Sequence, residues 1–267
     1  MDGFAGKTVL ITGASEGIGR ALALALAAPG VRLALNARNA ARLAQAAAEC
    51  AARGAAALAL PADVSQQPNC VQLVARTVER FGGLDILVNN AGITMWSRFD
   101  AISDFSVFER LLSVNYLGAV YTTAAALPHL RATRGLIVAV ASIAGLTGVP
   151  ERTAYAASKH ALVGFFESLR IELASSGVDI TLIAPDFVVS EIHRRAIGPD
   201  GAALGRTPMQ ESHIMTAEAC ARLIVAAMRR RQRLLITSAR GRLGRWARLL
   251  VPTLVDRLAA RAIRERR

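Results

Sequence analysis

Seven runs of strand length, TVLIT, RLALN, AALAL, DILVN, GLIVAVAS, DITLIA and RLLIT, recur along the 267-residue chain between longer alanine- and leucine-rich segments. They are apolar nearly throughout instead of alternating, as expected of parallel strands covered on both faces. The intervening periodicity predicts helices over residues 17–28, 40–53, 66–81, 105–130 with a break, 153–175 and 216–230. This alternation predicts a single α/β domain built on a doubly wound parallel sheet of about seven strands, with helices on both faces. A composition that is 53% hydrophobic is ample for such a core. Residues 190–215 break the rhythm with the turn-rich GPDGAALGRTP, the expected place for a mobile cover over a ligand crevice.

The first strand runs into TGASEGIG, which puts Gly13, Ser15, Gly17, Ile18 and Gly19 at a strand-to-helix turn. Glycines there let main-chain N–H groups approach a pyrophosphate, and the helix N-terminus adds a favourable dipole. The spacing is G-x-x-x-G-x-G, not the G-x-G-x-x-G dinucleotide fingerprint. The same residues also satisfy G-x-S-x-G, the nucleophile elbow of serine hydrolases, with Ser15 as nucleophile and His193 or His213 as a later base. Against the elbow, the turn follows the first strand, and hydrolysis leaves Tyr155 and Lys159 without a task.

Tyr155 and Lys159, in TAYAASKHALVGFF, are four residues apart and share a helix face. A nearby ammonium stabilises phenolate and lowers a pKa of about 10 toward working pH, so that Tyr155 could exchange a proton with a carbonyl or alcohol oxygen. Lys159 and Lys7 are the only lysines among 32 basic residues. Ser142 closes GLIVAVAS at the strand edge where doubly wound sheets bind ligands. NNAG, Asn89 to Gly92, ends the preceding strand, and Asn115 sits in SVNYLGAV within the long helix.

In order and spacing, the glycine turn, Asp63-Val64, NNAG, Asn115, Ser142 and Tyr155-x-x-x-Lys159 resemble the short-chain dehydrogenase/reductase family, over nearly the whole chain to about residue 238. The resemblance implies a Rossmann fold and a catalytic set of Asn115, Ser142, Tyr155 and Lys159. Tyr155 would be the general acid in carbonyl reduction and the base in alcohol oxidation. Lys159 would hold the nicotinamide ribose, Ser142 the substrate oxygen, and Asn115 a water of the proton relay. Arginine, with its broad planar fork, is a poor substitute for a compact ammonium that reaches both a ribose and a phenol. Cofactor contacts would come from Gly13, Ser15, Gly17, Ile18, Gly19, Asp63, Val64, Asn90, Ala91, Gly92, Tyr155, Lys159, Pro185, Val188 and Ser190. The chain departs from the family with Pro185-Asp186, where Pro-Gly is usual, and with Ser190, where threonine is common.

After the second strand, LNARN offers Ala37 and Arg38 in place of the aspartate that would grip ribose hydroxyls. A guanidinium there can bind a 2′-phosphate bidentately, so the expected cofactor is NADP(H). Glu16 opposes this, since NADP-dependent relatives often carry a basic residue at that place. Met95, Trp96, Leu146, Phe187, Val188 and Ile192 are the expected substrate contacts, and ITMWS and IAGLTG contain no cation to anchor an anion. The expected substrate is a lipophilic ketone or its alcohol, and the stretch from AAALPHL through YAASKHALVGFFESLR resembles the hydroxysteroid dehydrogenase and lipid-ketone reductase branch. The alternatives are a 3-oxoacyl-thioester reductase and a non-enzymatic NADP-binding module.

The net charge of +12 belongs to the tail: residues 229–267 carry thirteen arginines against Asp256 and Glu265. Residues 1–238 read as the catalytic domain and 239–267 as a basic amphipathic tail, with Leu243, Trp246 and Leu250 at helical spacing before Pro252 and Leu254, Leu258 and Ala262 after it. Such a tail suits an anionic membrane surface or a second subunit of a homo-oligomer. No nucleic-acid reading motif accompanies the arginines. Three separated cysteines fit neither a disulfide framework nor a zinc knuckle, and no metal is expected. A first strand that begins within seven residues leaves no room for a signal peptide. The expected location is cytoplasmic, or peripheral to the inner face of a membrane.

Overall fold

A computed structural model of the chain describes residues 2–207 and 214–264. Its strands are β1 (Thr8–Thr12), β2 (Arg32–Ala37), β3 (Ala56–Pro61), β4 (Ile86–Asn89), β5 (Leu136–Val140), β6 (Asp179–Ala184) and β7 (Leu234–Ile236). All pair in parallel in the order β3-β2-β1-β4-β5-β6-β7. The chain winds outward from β1 to β3, then returns to β4 and winds the other way, which makes the gap beyond the C-terminal ends of β1 and β4 the switch point.

Successive strand residues serve opposite layers, as the pleat requires. Val9 and Ile11 enter one core with α1 (Gly17–Leu26), α2 (Ala40–Ala51) and α7 (Ala217–Arg229). Leu10 enters the other core with α3 (Gln67–Phe81), α5 (Gly118–Thr133) and α6 (Thr153–Glu172). Cys50 and Cys220 lie in the first layer and Cys70 on α3; all three are free and buried. Burial pushes their pKa values up to about 11, 12 and 11 respectively.

The expected break in the long helix is a widened π turn, Ser113–Leu117, between α4 (Ser106–Leu112) and α5. Asn115 sits in that turn, a common feature of functional positions. The tail forms two helices, α8 (Ala239–Leu250) and α9 (Pro252–Arg264), with Pro252 in the first turn, where its missing N–H is harmless. No helix among the described residues is long and apolar enough to cross a membrane.

Candidate active site

Gly13 closes the turn after β1 with φ +67°, and a Cβ there would stand 2.8 Å from the Ala91 Cα. A Cβ on Gly19 would stand 2.2 Å from the Gly13 carbonyl oxygen. The turn is therefore bare main chain pressed against the end of β4, a cradle that a side chain would fill. Thr12, which the sequence reading passed over, ties it down: its hydroxyl accepts from the N–H groups of Asn90 and Ala91, both at 3.0 Å. The Asn90 amide donates to the carbonyls of Thr12 and Gly13 at 2.9 and 3.1 Å.

A cleft of about 1510 Å³ runs from this turn across the C-terminal ends of the strands. Gly13, Ser15, Gly17, Ile18, Arg38, Asp63, Val64, Asn90, Ala91, Gly92, Pro185, Val188 and Ser190 all border it, with Ser142, Tyr155 and Lys159. Gly19 does not border the cleft; it acts one layer back, by permitting the close approach of α1. Asn115 is also set back and buried. Its amide donates to Ile93 O at 3.0 Å and Ser158 Oγ at 2.9 Å, and its oxygen accepts from Ile93 N at 2.8 Å. With these bonds the side chain is a strut between the Gly92 turn and α6.

Ser142 lies two residues beyond β5 and caps a 3₁₀ turn, Ile143–Gly145, by accepting from Ala144 N at 3.1 Å. Tyr155 and Lys159 stand one turn apart at the start of α6. The expected lowering of the phenol pKa is not found. Burial is the largest influence and raises it, opposed by the charge of Arg152 and by a hydrogen bond with Ser142. Lys159 instead donates to the Val140 carbonyl at 2.9 Å, with its nitrogen 5.8 Å from the tyrosine ring centroid. Burial lowers the Lys159 pKa to about 8.

Arg152, just before α6, brings into the substrate end a cation that the strand-end segments lack. It is buried, with its guanidinium 4.1 Å from the Trp96 ring centroid and 5.6 Å from that of Tyr155. It also donates to Thr94 Oγ1 at 3.0 Å. The preceding Glu151 holds the left-handed φ of +62° and accepts from Trp96 Nε1 at 2.8 Å, fixing the indole under the guanidinium. Of the expected substrate contacts, Trp96, Phe187, Val188 and Ile192 border the cleft. Met95 is sealed in a small core with Ile102 and Leu111, and Leu146 packs on the sheet layer.

Among the described residues the serine-hydrolase constellation is not assembled. The His193 ring is hydrogen-bonded through Nε2 to the Val188 carbonyl at 3.1 Å, and burial pushes its pKa down to about 4. His213 lies outside the described residues, with the rest of 208–213 in the expected cover. The described part of that cover is tied to the body, with Trp96 N donating to Ile197 O at 2.9 Å and Ile197 N to Thr94 O at 2.9 Å.

The short chain dehydrogenase family model matches residues 7–198, which include every candidate catalytic and glycine-turn position described above. The chain belongs to the short-chain dehydrogenase/reductase family. It falls in the hydroxysteroid dehydrogenase branch: it is 38% identical to 11-beta-hydroxysteroid dehydrogenase 1A of Arabidopsis thaliana, over 94% of this chain and 74% of that protein. It is 42% identical to 11-beta-hydroxysteroid dehydrogenase-like 4A of the same plant, over 82% and 72%. A family member from Burkholderia phymatum solved with NAD superposes with a TM-score of 0.81 at 28% identity, covering 94% of this chain and 96% of that one. An alcohol dehydrogenase from Thermococcus sibiricus solved with 5-hydroxy-NADP superposes at 0.76 with 27% identity, over 86% and 95%. As a member of this family the chain is an oxidoreductase that interconverts a carbonyl and an alcohol with a nicotinamide cofactor.

Proposed function

We propose that the protein is an NADP-dependent reductase of a lipophilic carbonyl compound, steroid-like or a long-chain ketone. The observation that carries this reading is the meeting of Ser142, Tyr155 and Lys159 with the bare glycine cradle in one cleft that Trp96, Phe187, Val188 and Ile192 also border.

The main chain of Gly13, Ser15, Gly17 and Ile18 would hold the pyrophosphate, Asp63 and Val64 the adenine, Asn90 to Gly92 the inner ribose, and Pro185, Val188 and Ser190 the carboxamide. When bound, the nicotinamide supplies a hydride to the substrate carbon in reduction and receives it in oxidation. Ser142 and Tyr155 fix the substrate oxygen between their hydroxyls, and in reduction the Tyr155 O–H bond breaks as its proton passes to that oxygen. Lys159, held at the Val140 carbonyl, would orient the ribose. With its side-chain amide committed, Asn115 would hold a relay water through its main-chain carbonyl.

The choice of NADP rests on Arg38, exposed at the cleft edge. Glu16, which argued against it, is ion-paired with Arg42 at 2.9 Å and with Arg195. Its carboxylate is thus neutralised, and the surroundings of the 2′-phosphate stay cationic. A second reading, reduction of a 3-oxoacyl thioester, is favoured by Arg152, whose buried cation suits a second carbonyl beside the reacting one. NADPH consumption measured over steroids, long-chain ketones and 3-oxoacyl thioesters separates the two, and turnover of none of them would remove both.

The partner reading is contact with an anionic membrane surface, at the inner face of a cytoplasmic location. In its support, Trp246, Leu249, Leu250 and Leu254 are exposed on the arginine-rich tail. A homo-oligomer that covers the same residues is the alternative.

A further inference from the structure

The 1510 Å³ cleft holds both the glycine cradle and the Ser142–Tyr155 end. Its outer end is walled by the tail. Leu243 and Ala247 of α8 and Val255 and Leu258 of α9 border the same cavity as Ser142 and Tyr155. Leu243 and Leu258 are nevertheless 72% and 55% exposed, so they offer apolar surface that a molecule in the cleft would cover.

The wall is fastened at Asp186, the residue that departs from the family's usual glycine. Its side chain is only 9% exposed. It accepts from Ser238 Oγ at 2.7 Å, from Arg240 Nη2 at 2.9 and 3.0 Å, and from Arg240 Nε at 3.3 Å. A two-pronged, charge-assisted contact of this kind fixes orientation as well as position. Ser238 at the same time caps α8 by accepting from Gly241 N at 2.9 Å. Gly241 lies flush on the body, where a Cβ would come within 2.9 Å of Ile236 Cγ2 and 3.1 Å of Ile143 Cγ2. An ion pair between Arg248 and Asp256 joins α8 to α9. Glycine at 186 could make none of the side-chain contacts.

We propose that α8 and α9 are the outer wall of the substrate cleft, latched by Asp186 to the end of β6, and that this wall selects substrates with an extended apolar body. The proposal rests on the lipophilic-carbonyl reading and deepens it, since it assigns the apolar end of the substrate to this chain's own tail. Asp186 and Arg240 are positioning residues here, and Leu243 and Leu258 the contacts.

Two variants loosen the wall by different routes: Arg240→Ala removes the two-pronged part of the latch and leaves only the Ser238 bond, and Gly241→Val forces α8 off Ile236 and Ile143. Calorimetric titration of 2-decanone into the NADP⁺-loaded full-length protein gives a binding constant that needs no turnover. NADP⁺ affinity is measured alongside. The expected result is 2-decanone binding to the wild type, weakened at least tenfold in both variants, with NADP⁺ affinity within twofold. Failure of the wild type to bind 2-decanone, unchanged 2-decanone affinity in the variants, or a parallel loss of NADP⁺ affinity would overturn the proposal. Binding of 2-decanone without its reduction when NADPH is supplied counts against the reductase reading and leaves the wall supported.

Discussion

Lys159 donates its ammonium to the main-chain carbonyl of Val140 at 2.9 Å, which pins the α6 lysine to the last residue of β5. Its pKa, lowered to about 8 by burial, means that the charge is present below that pH and lost above it. Carbonyl reduction is therefore expected to lose kcat/KM as pH rises through about 8. In Lys159→Arg the residual rate should be lower but free of that fall, because guanidinium stays charged. A pH profile of both proteins checks this, and an unimpaired Lys159→Arg enzyme contradicts it.

Tyr155→Phe should lower kcat by at least about 10²-fold while cofactor binding stays nearly intact, because the proton is removed and little contact area is lost. Steady-state kinetics with a parallel NADPH titration make the comparison. Retention of a tenth of the wild-type rate would assign the proton to another group.

Arg38→Asp should shift the NADPH-to-NADH ratio of kcat/KM toward NADH by roughly ten- to hundredfold, the size of a lost charge-assisted contact. The ratio matters here and the overall affinity does not. An unchanged ratio would mean that discrimination lies with other residues.

His193 is buried with its pKa pushed down to about 4. An unfolded histidine titrates near 6.5, so between the two values the unfolded chain binds more protons. Stability contributed by the neutral ring is thus complete above about 6.5 and is lost as pH falls toward 4, by up to about 3 kcal/mol. Melting temperatures of wild type and His193→Gln from pH 7 to pH 4 should converge on acidification, and parallel curves would show that the ring does not titrate in this window.

Full-length protein should sediment with anionic vesicles at low salt, and a chain ending near Ala239 should not, because the basic charge and the exposed Trp246, Leu249 and Leu250 go with the tail. Equal binding by both chains rules the tail out as the membrane contact. A fall in oligomeric state on truncation would place the tail between subunits instead.

All seven strands and the order of the helices were legible in the sequence, because a parallel sheet covered on both faces writes itself as continuous apolar runs, and β6 begins and ends where DITLIA does. Ser142, Tyr155 and Lys159 could be read because each sits at a strand end or helix start, where short-range spacing determines direction. Thr12, Arg152 and the Asp186–Arg240 pair escaped notice, since their partners lie 78, 58 and 54 positions away along the chain. The misplacement of Met95 has the same origin: its bridge to Ile197 joins two segments that no local period relates. The tyrosine's electrostatics were misjudged because spacing puts a lysine on the same face but does not say which carbonyl will claim its ammonium.

The three cysteines divide between the two sides of the sheet, Cys50 and Cys220 on one and Cys70 on the other, each thiol kept protonated and shielded by its surroundings. A thiol-alkylating reagent therefore finds no ready target on the native protein and marks a cysteine only when the layer above it lifts. The rates at which the individual sulfurs become labelled would time the opening of each helical layer separately, using reporters already native to the chain.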